Sequence, residues 1–233
     1  MQWTRTDTVR RWIVVCGLIA GPLLLVLSVS INLTAPTDSL RADFDSMTAH
    51  PGLVVLEALL ETIGFMVVLA AMAGATVALR GRGSALGTWG AVLAMLGIVG
   101  FSFSNANGFT LAELAQLPDH DAGFATADAL MTSSTAGTVG TVGMLLEIAG
   151  QLGILLVIAG LIRARLVPVW LLLPVVAGIA INFVVGTMLG TLIADLLLLA
   201  TGTWIAICLG RCSRGAWLGM HSASPVPHST VTA

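Results

Sequence analysis

Four carboxylates stand where carboxylates are costly. Glu57, Glu61, Glu147 and Asp195 fall inside runs of otherwise apolar residues. Charge at membrane depth costs roughly 2.5–3.5 kcal/mol on insertion scales, which makes such acids candidates for proton, cation or ligand chemistry. Glu61 precedes Arg80 by 19 residues, Glu147 precedes Arg163 by 16, and Asp195 precedes Arg211 by 16. At ~1.5 Å of helix rise per residue, each acid lies about 24–28 Å from its arginine. The three acids therefore sit at similar heights, in the outer leaflet. No basic residue lies inside any apolar run, so they have no ion-pair partner at that depth. Each is either neutral and hydrogen-bonded or ionised beside a cation. Glu57 lies only a few residues into its run and reads as reaching the headgroup region.

Other polar residues share that height. Gln151 follows Glu147 by four residues and Thr191 precedes Asp195 by four, so each shares its acid's helix face. Ser28, Ser30, Asn32, Ser102, Ser104 and Asn182 fall in the same outer halves, while the inner halves are nearly all apolar. The pattern predicts an outward-facing polar pocket. Its candidate residues for a ligand, proton or cation are Glu61, Glu147, Gln151, Thr191 and Asp195. The competing expectation is structural, with neutral acids that cap or bridge helices.

Further chemistries find less support. Asp119-His120-Asp121, with His50, Asp43 and Asp45, offers imidazole and carboxylate donors that suit zinc or manganese. Their spacing matches no metal-ligand motif, and a solvated acidic loop is the favoured reading, with no metal. No histidine lies within an apolar run, which excludes transmembrane bis-histidine haem ligation. There is no P-loop, HExxH or GxSxG, so nucleotide hydrolysis and intramembrane proteolysis have no visible machinery. Cys16, Cys208 and Cys212 form no CxxC motif and read as small buried hydrophobes. No cofactor is expected, and no basic stripe marks a nucleic-acid surface. An enzyme using the outer His and Asp residues on a lipid or envelope substrate is the least favoured function.

The elements that must position these residues are transmembrane helices. Of 233 residues, 57% are hydrophobic and 9% charged, against about 25% charged in a soluble domain. The fold class expected is all-α, a polytopic membrane bundle of about six helices over residues 1–214. A cytoplasmic, disordered tail is expected over 215–233. Apolar runs cover 12–33, 53–79, 85–103 and 138–162, and 166–209 is long enough to cross twice, turning near Gly186. Arg5, Arg10, Arg11, Arg80, Arg82, Arg163, Arg165, Arg211 and Arg214 fall at one set of ends, and only Arg41 at the other. That is the positive-inside pattern, with both termini cytoplasmic in a cell membrane. Trp3, Trp12, Trp89, Trp170, Trp204 and Trp217 collect at the arginine ends, as interfacial Trp does. Lysine and tyrosine are absent, a bias of GC-rich bacterial genomes.

Two outer loops are expected. Residues 35–52 carry Leu40, Phe44 and Met47 on one helix face, with Thr37 or Asp38 as cap. Residues 105–137 form a long loop with Leu111, Leu114 and Leu117 on one apolar edge, either a lid or interfacial helices. Gly17 with Gly21, Gly186 with Gly190, and Gly137, Gly140 and Gly143 predict close helix packing. Leu59-Leu60-Glu61-Thr62-Ile63-Gly64 aligns with Leu145-Leu146-Glu147-Ile148-Ala149-Gly150, and Trp89 with Trp170. The second and third spans thus read as a parallel repeat of the fourth and fifth.

Gly21-Pro22-Leu23-Leu24 and Leu59-Leu60-Glu61 resemble small six-helix actinobacterial membrane proteins grouped as domains of unknown function. The resemblance implies the six-helix fold and brings no activity or site residue. The leading functional expectation is a non-enzymatic accessory or structural membrane component. It would sit in the lipid bilayer, with a membrane-protein partner or as a homo-oligomer. The alternative is a small proton- or cation-coupled transporter, or an outward-facing ligand binder, using the intramembrane carboxylates.

Overall fold

The computed structural model describes residues 5–32, 39–79, 83–185 and 187–217. Arg80, Arg82, Trp3, the Thr37 and Asp38 caps, the turn at Gly186 and the tail beyond Trp217 lie outside the described residues. Most of those described are helical, with no strand among them. In chain order the helices are α1 (Arg5–Asn32), α2 (Leu40–Ala49), α3 (Pro51–Ala75) and α4 (Ser84–Leu114). They continue as α5 (His120–Thr132), α6 (Ser134–Arg163), α7 (Leu172–Val185), α8 (Met188–Arg211) and the single-turn α9 (Arg214–Trp217). Five of them, α1, α3, α4, α6 and α8, are long and apolar enough to cross a membrane. The sixth apolar helix, α7, has 14 residues, or about 21 Å. A short 3-10 turn, Val169–Leu171, leads into it.

Local chemistry sets the ends. Four helices start on a side chain that accepts a backbone N–H: Ser39 for α2, Asp119 for α5, Ser133 for α6 and Thr187 for α8. Pro51 opens α3 at a position where no N–H is needed. The third span runs well past the expected residue 103, as α4 stays helical to Leu114. The sequence Thr110 to Ala115 is rich in helix formers, and Gly108 alone weakens it, by about 1 kcal/mol. The stretch expected as a long outer loop is thus the end of α4, then α5 and the start of α6.

Six helices form a ring. α1 packs extensively on α3, α3 on α4, α4 on α6, α7 on α8, and α8 back on α1, whereas α6 and α7 touch only lightly. In lipid no hydrophobic force draws helices together, so close backbone approach must supply the attraction. The seam between α4 and α6 is made of small residues. A Cβ on Gly150 would meet Gly97 Cα at 2.7 Å, and one on Gly90 would meet Gly153 O at 2.8 Å. A Cβ on Gly21 would meet Val68 N at 2.6 Å, and one on Gly17 the Ala71 methyl at 2.9 Å, so this expected pair does pack α1 on α3. Gly137 and Gly140 do not behave as expected: nothing lies within 4 Å of their missing methyls. Both glycines are exposed.

The arginine end is dry and filled. Leu18, Val68, Leu69, Met72, Val157, Ile158, Leu161, Leu171, Ile205 and Leu209 form one buried cluster there. Trp217 joins it at 1% exposure, although the sequence placed it in the tail. Arg11 donates from Nη1 to Cys212 O (3.4 Å), tying the start of α1 to the end of α8. Trp12, Trp89, Trp170 and Trp204 stay exposed on the bundle surface. Cys16 is exposed too, against the expectation of burial, while Cys208 and Cys212 are half-buried. At the opposite end α2 and α5 form a cap. Phe44 is buried there against Leu111, Ala115 and Ala127, with Met47, Leu114 and Phe124 around it. Leu117, expected on the same edge, is exposed.

Candidate functional site

One cavity of about 310 Å³ opens inside the ring. Every helix of the ring contributes to its wall. The five residues singled out from sequence all line it: Glu61 from α3, Glu147 and Gln151 from α6, Thr191 and Asp195 from α8. Ser104 of α4 and Asn182 of α7 add two further polar groups. The helical spacing explains the convergence. Glu147, Gln151 and Ile154 follow one face of α6, and Thr191, Asp195 and Leu198 one face of α8.

The wall is graded. Toward the cap end stand Ser104, Glu147, Asn182 and Thr191. Toward the arginine end the cavity is closed by apolar side chains, Phe65, Phe101, Ile154, Val175 and Leu198 among them. Phe65 and Phe101 stack with ring centroids 3.5 Å apart and planes 11° apart. Below them begins the packed apolar core.

Partners divide the acids. Ser104 donates its hydroxyl to Glu147 Oε1. Thr191 donates to Asn182 Oδ1 (3.1 Å) rather than to Asp195, and also to Thr187 O (3.3 Å). Asp195 is only 8% exposed, and neither it nor Glu61 has a hydrogen-bond or salt-bridge partner among the described residues. Asp195 lies close enough to Glu61 for their charges to interact, and Glu61 to Glu57 and Glu147. Gln151 Oε1 is buried and also lacks a partner. An orphaned buried polar group costs roughly 1–3 kcal/mol, so these atoms gain from any donor that enters the cavity. Glu57 does not line the cavity.

Among the described residues no group of three or more His, Cys, Asp or Glu side chains is placed to hold a metal ion. The three acids share one cavity without chelating distance between them. Divalent ions need several oxygens at about 2.0–2.6 Å. The cavity as it stands suits a larger cation, or protons, better than a bare metal ion.

The outer His and Asp residues have other work. Asp119 caps α5, and His50 ends α2 and precedes Pro51. Arg41 bonds Asp45 (3.1 Å) and Asp121 (2.9 Å), and His120 Nε2 bonds the same Asp45 oxygen (2.8 Å). The Arg41 guanidinium also lies 4.7 Å from the centre of the Phe124 ring. The His120 hydrogen bond first, and the Arg41 charge after it, hold the Asp45 carboxyl below the usual range. This cluster joins α2 to α5.

Sequence reasoning did not anticipate the stacked Phe65 and Phe101, nor Leu25 and Val29 on the α1 wall. Phe65 follows Glu61 by four residues, so face-sharing would have found it. No protein-family model, curated protein or solved structure matches this chain.

Proposed function

We propose that this chain is a multi-pass cell-membrane protein that binds a cation, or exchanges it for protons, in the carboxylate-lined cavity. The observation that carries the reading is Asp195, nine-tenths buried and unpartnered on the wall of a cavity that also holds Glu61 and Glu147. Among the described residues, no arginine or histidine lines that wall. Three ionised carboxylates around one half-apolar space would repel one another. A cation, or protons on the acids, removes the repulsion. α7 acts as the sixth helix despite its length, because without it the ring and the cavity wall are incomplete. The arginine pattern sets the termini in the cytoplasm and the polar end of the cavity outward. Glu61 and Glu147 occupy matching places in the aligned segments, which favours the parallel repeat, although α6 meets α7 far less closely than α3 meets α4. The resemblance to small six-helix membrane proteins agrees with this architecture.

The test is thermal unfolding of the detergent-purified chain in Na⁺, K⁺, tetramethylammonium and 4-phenylbutylammonium. A ligand at 100 times its Kd stabilises by about 2.7 kcal/mol. At least one cation should raise the melting temperature of the wild type and not of Asp195→Asn. If none does, the reading fails.

A second reading, an accessory component of a membrane assembly, is favoured by Gly137 and Gly140, which face open space on α6. Small residues let another helix approach closely, from a partner or a second copy. Cross-linking from cysteines placed at these two positions would capture that neighbour, and a strictly monomeric product would dismiss it.

A further inference from the structure

We infer that the cavity is reached from the lipid phase, through the seam between α6 and α7, and that its occupant is an amphiphilic cation: one ammonium-type charge on an apolar body. The charge of the ligand rests on the binding reading above, whereas the route does not.

The ring has one loose joint. Five of its six neighbouring pairs pack extensively, and α6 with α7 does not. Phe183 marks the joint. It lines the cavity and yet is 53% exposed, so one side chain belongs both to the wall and to the outer surface. Its direction follows from the helix. Gly178 and Asn182 face α8, since a Cβ on Gly178 would lie 3.3 Å from Ala194 O and Asn182 accepts from Thr191. At 3.6 residues per turn, Phe183 is turned about 100° from Asn182. It sits past the cavity-facing Ile179, on the side of α7 away from α8. The neighbour on that side is α6. Val176, seven residues earlier and so on the same face of α7, is exposed as well, so the mouth of the seam is apolar and suits acyl chains rather than water.

The wall chemistry selects the occupant. Leu25, Phe65, Phe101, Ile154, Ile179 and Leu198 offer a large apolar lining, and Asp195 supplies an unpartnered acceptor beside it. A volume of 310 Å³ equals that of about ten water molecules at ~30 Å³ each, far more than a bare monovalent ion fills. A molecule with both parts gathers first in the membrane and arrives at the seam already concentrated.

Carbodiimides test the route on the intact chain in proteoliposomes. They add to a carboxylic acid without losing an atom and rearrange to a stable N-acylurea, read by peptide mass spectrometry. Lipid-soluble dicyclohexylcarbodiimide should modify Asp195 at least tenfold faster than a charged, water-soluble carbodiimide does. The charged reagent should meanwhile modify the exposed Asp128. Phe183→Ala should speed the lipid-soluble reaction further, and Asp195→Asn should abolish it at that site. Equal or faster modification of Asp195 by the charged reagent, or modification by neither, overturns the lateral route. For the occupant, 4-phenylbutylammonium should protect Asp195 at concentrations where tetramethylammonium and Na⁺ do not. Equal protection by Na⁺ overturns the amphiphile. If no cation protects while the lipid-soluble selectivity persists, the cation reading falls and the route stands.

Discussion

Gly150→Ala should weaken this protein, and Gly140→Ala should not, although both changes add one methyl to the same helix. The two positions share their intrinsic helix effect, so the gain of up to about 1 kcal/mol from Gly to Ala cancels in the comparison. What differs is the space. A Cβ at 140 meets nothing within 4 Å, while one at 150 lies 2.7 Å from Gly97 Cα and 3.6 Å from Gly97 N. Carbon atoms rest about 3.5–4.0 Å apart. The atom in the way is backbone, so no rotamer change relieves the clash, and α4 and α6 must part by about 1 Å. A gap of ~0.5–1 Å forfeits a quarter to a half of each dispersion contact along the seam. That seam also holds Gly90 against Gly153, and Gly100 against Glu147. Overpacking of this kind costs about 1–3 kcal/mol. We expect Gly150→Ala to fall below Gly140→Ala by about 2 kcal/mol. Unfolding in dodecyl sulfate mixed micelles, followed by tryptophan fluorescence, measures the difference. Stabilities equal within about 0.5 kcal/mol, the usual scatter of neutral surface changes, would refute the claim that backbone contact holds α4 to α6.

The cap makes a pH prediction. The folded-state pKa of Asp45 is lowered from 3.8, so its contribution is complete above that ordinary value and disappears as pH falls through the lower one. Protection of the α2 amides, taken relative to the intrinsic exchange rate at each pH, should thus be steady from pH 7 to 5 and fall in strong acid, and Arg41→Ala should move that fall to higher pH; a profile unmoved by the variant would be contrary. Asn105 donates to Thr62 Oγ1 at 2.8 Å, joining α4 to α3 near the cavity's polar end. A double-mutant cycle of Asn105→Ala and Thr62→Ala should give a coupling of about 0.6–1.7 kcal/mol, the range for hydrogen bonds between membrane helices, and zero coupling would dismiss the bond.

The polar face was legible because helix geometry is simple. Glu147 with Gln151, and Thr191 with Asp195, share faces at a spacing of four residues, and similar distances from the arginines put three acids at similar heights. Nothing more was needed to bring five residues to one cavity. The lengths of the helices were harder to read. Asn105, Asn107 and Gly108 look like a loop, and yet α4 continues through them, because Leu111 finds Phe44 on another helix and Asn105 finds Thr62. Those partners lie far off in sequence, so no local pattern announces them. The glycine seam was missed for a related reason. Gly87, Gly90, Ala94, Gly97 and Gly100 recur every three or four residues, which is one helix face, but they do not form a strict GxxxG pair. Gly137, Gly140 and Gly143 show a similar period, and the first two face nothing. Period fixes the face of a helix, and only the fold decides whether that face has a neighbour.

The same distinction separates the seam from the site. Small residues bring α4 and α6 within backbone contact, which fixes Glu147 and Gln151 relative to Ser104. No comparable approach joins α6 to α7. Close packing on one side of α6 and its lack on the other put the tight seam beside Glu147 and the loose joint beside Phe183. A site that must hold a charge benefits from fixed acceptors, since preorganised groups need not be reordered when a ligand arrives. Access for a bulky occupant requires the opposite, a boundary that opens at little cost. Both are met when one helix of the ring, α7, is short and packed chiefly on α8. On the proposed lateral route, this 14-residue helix is the part of the fold through which the carboxylates are reached.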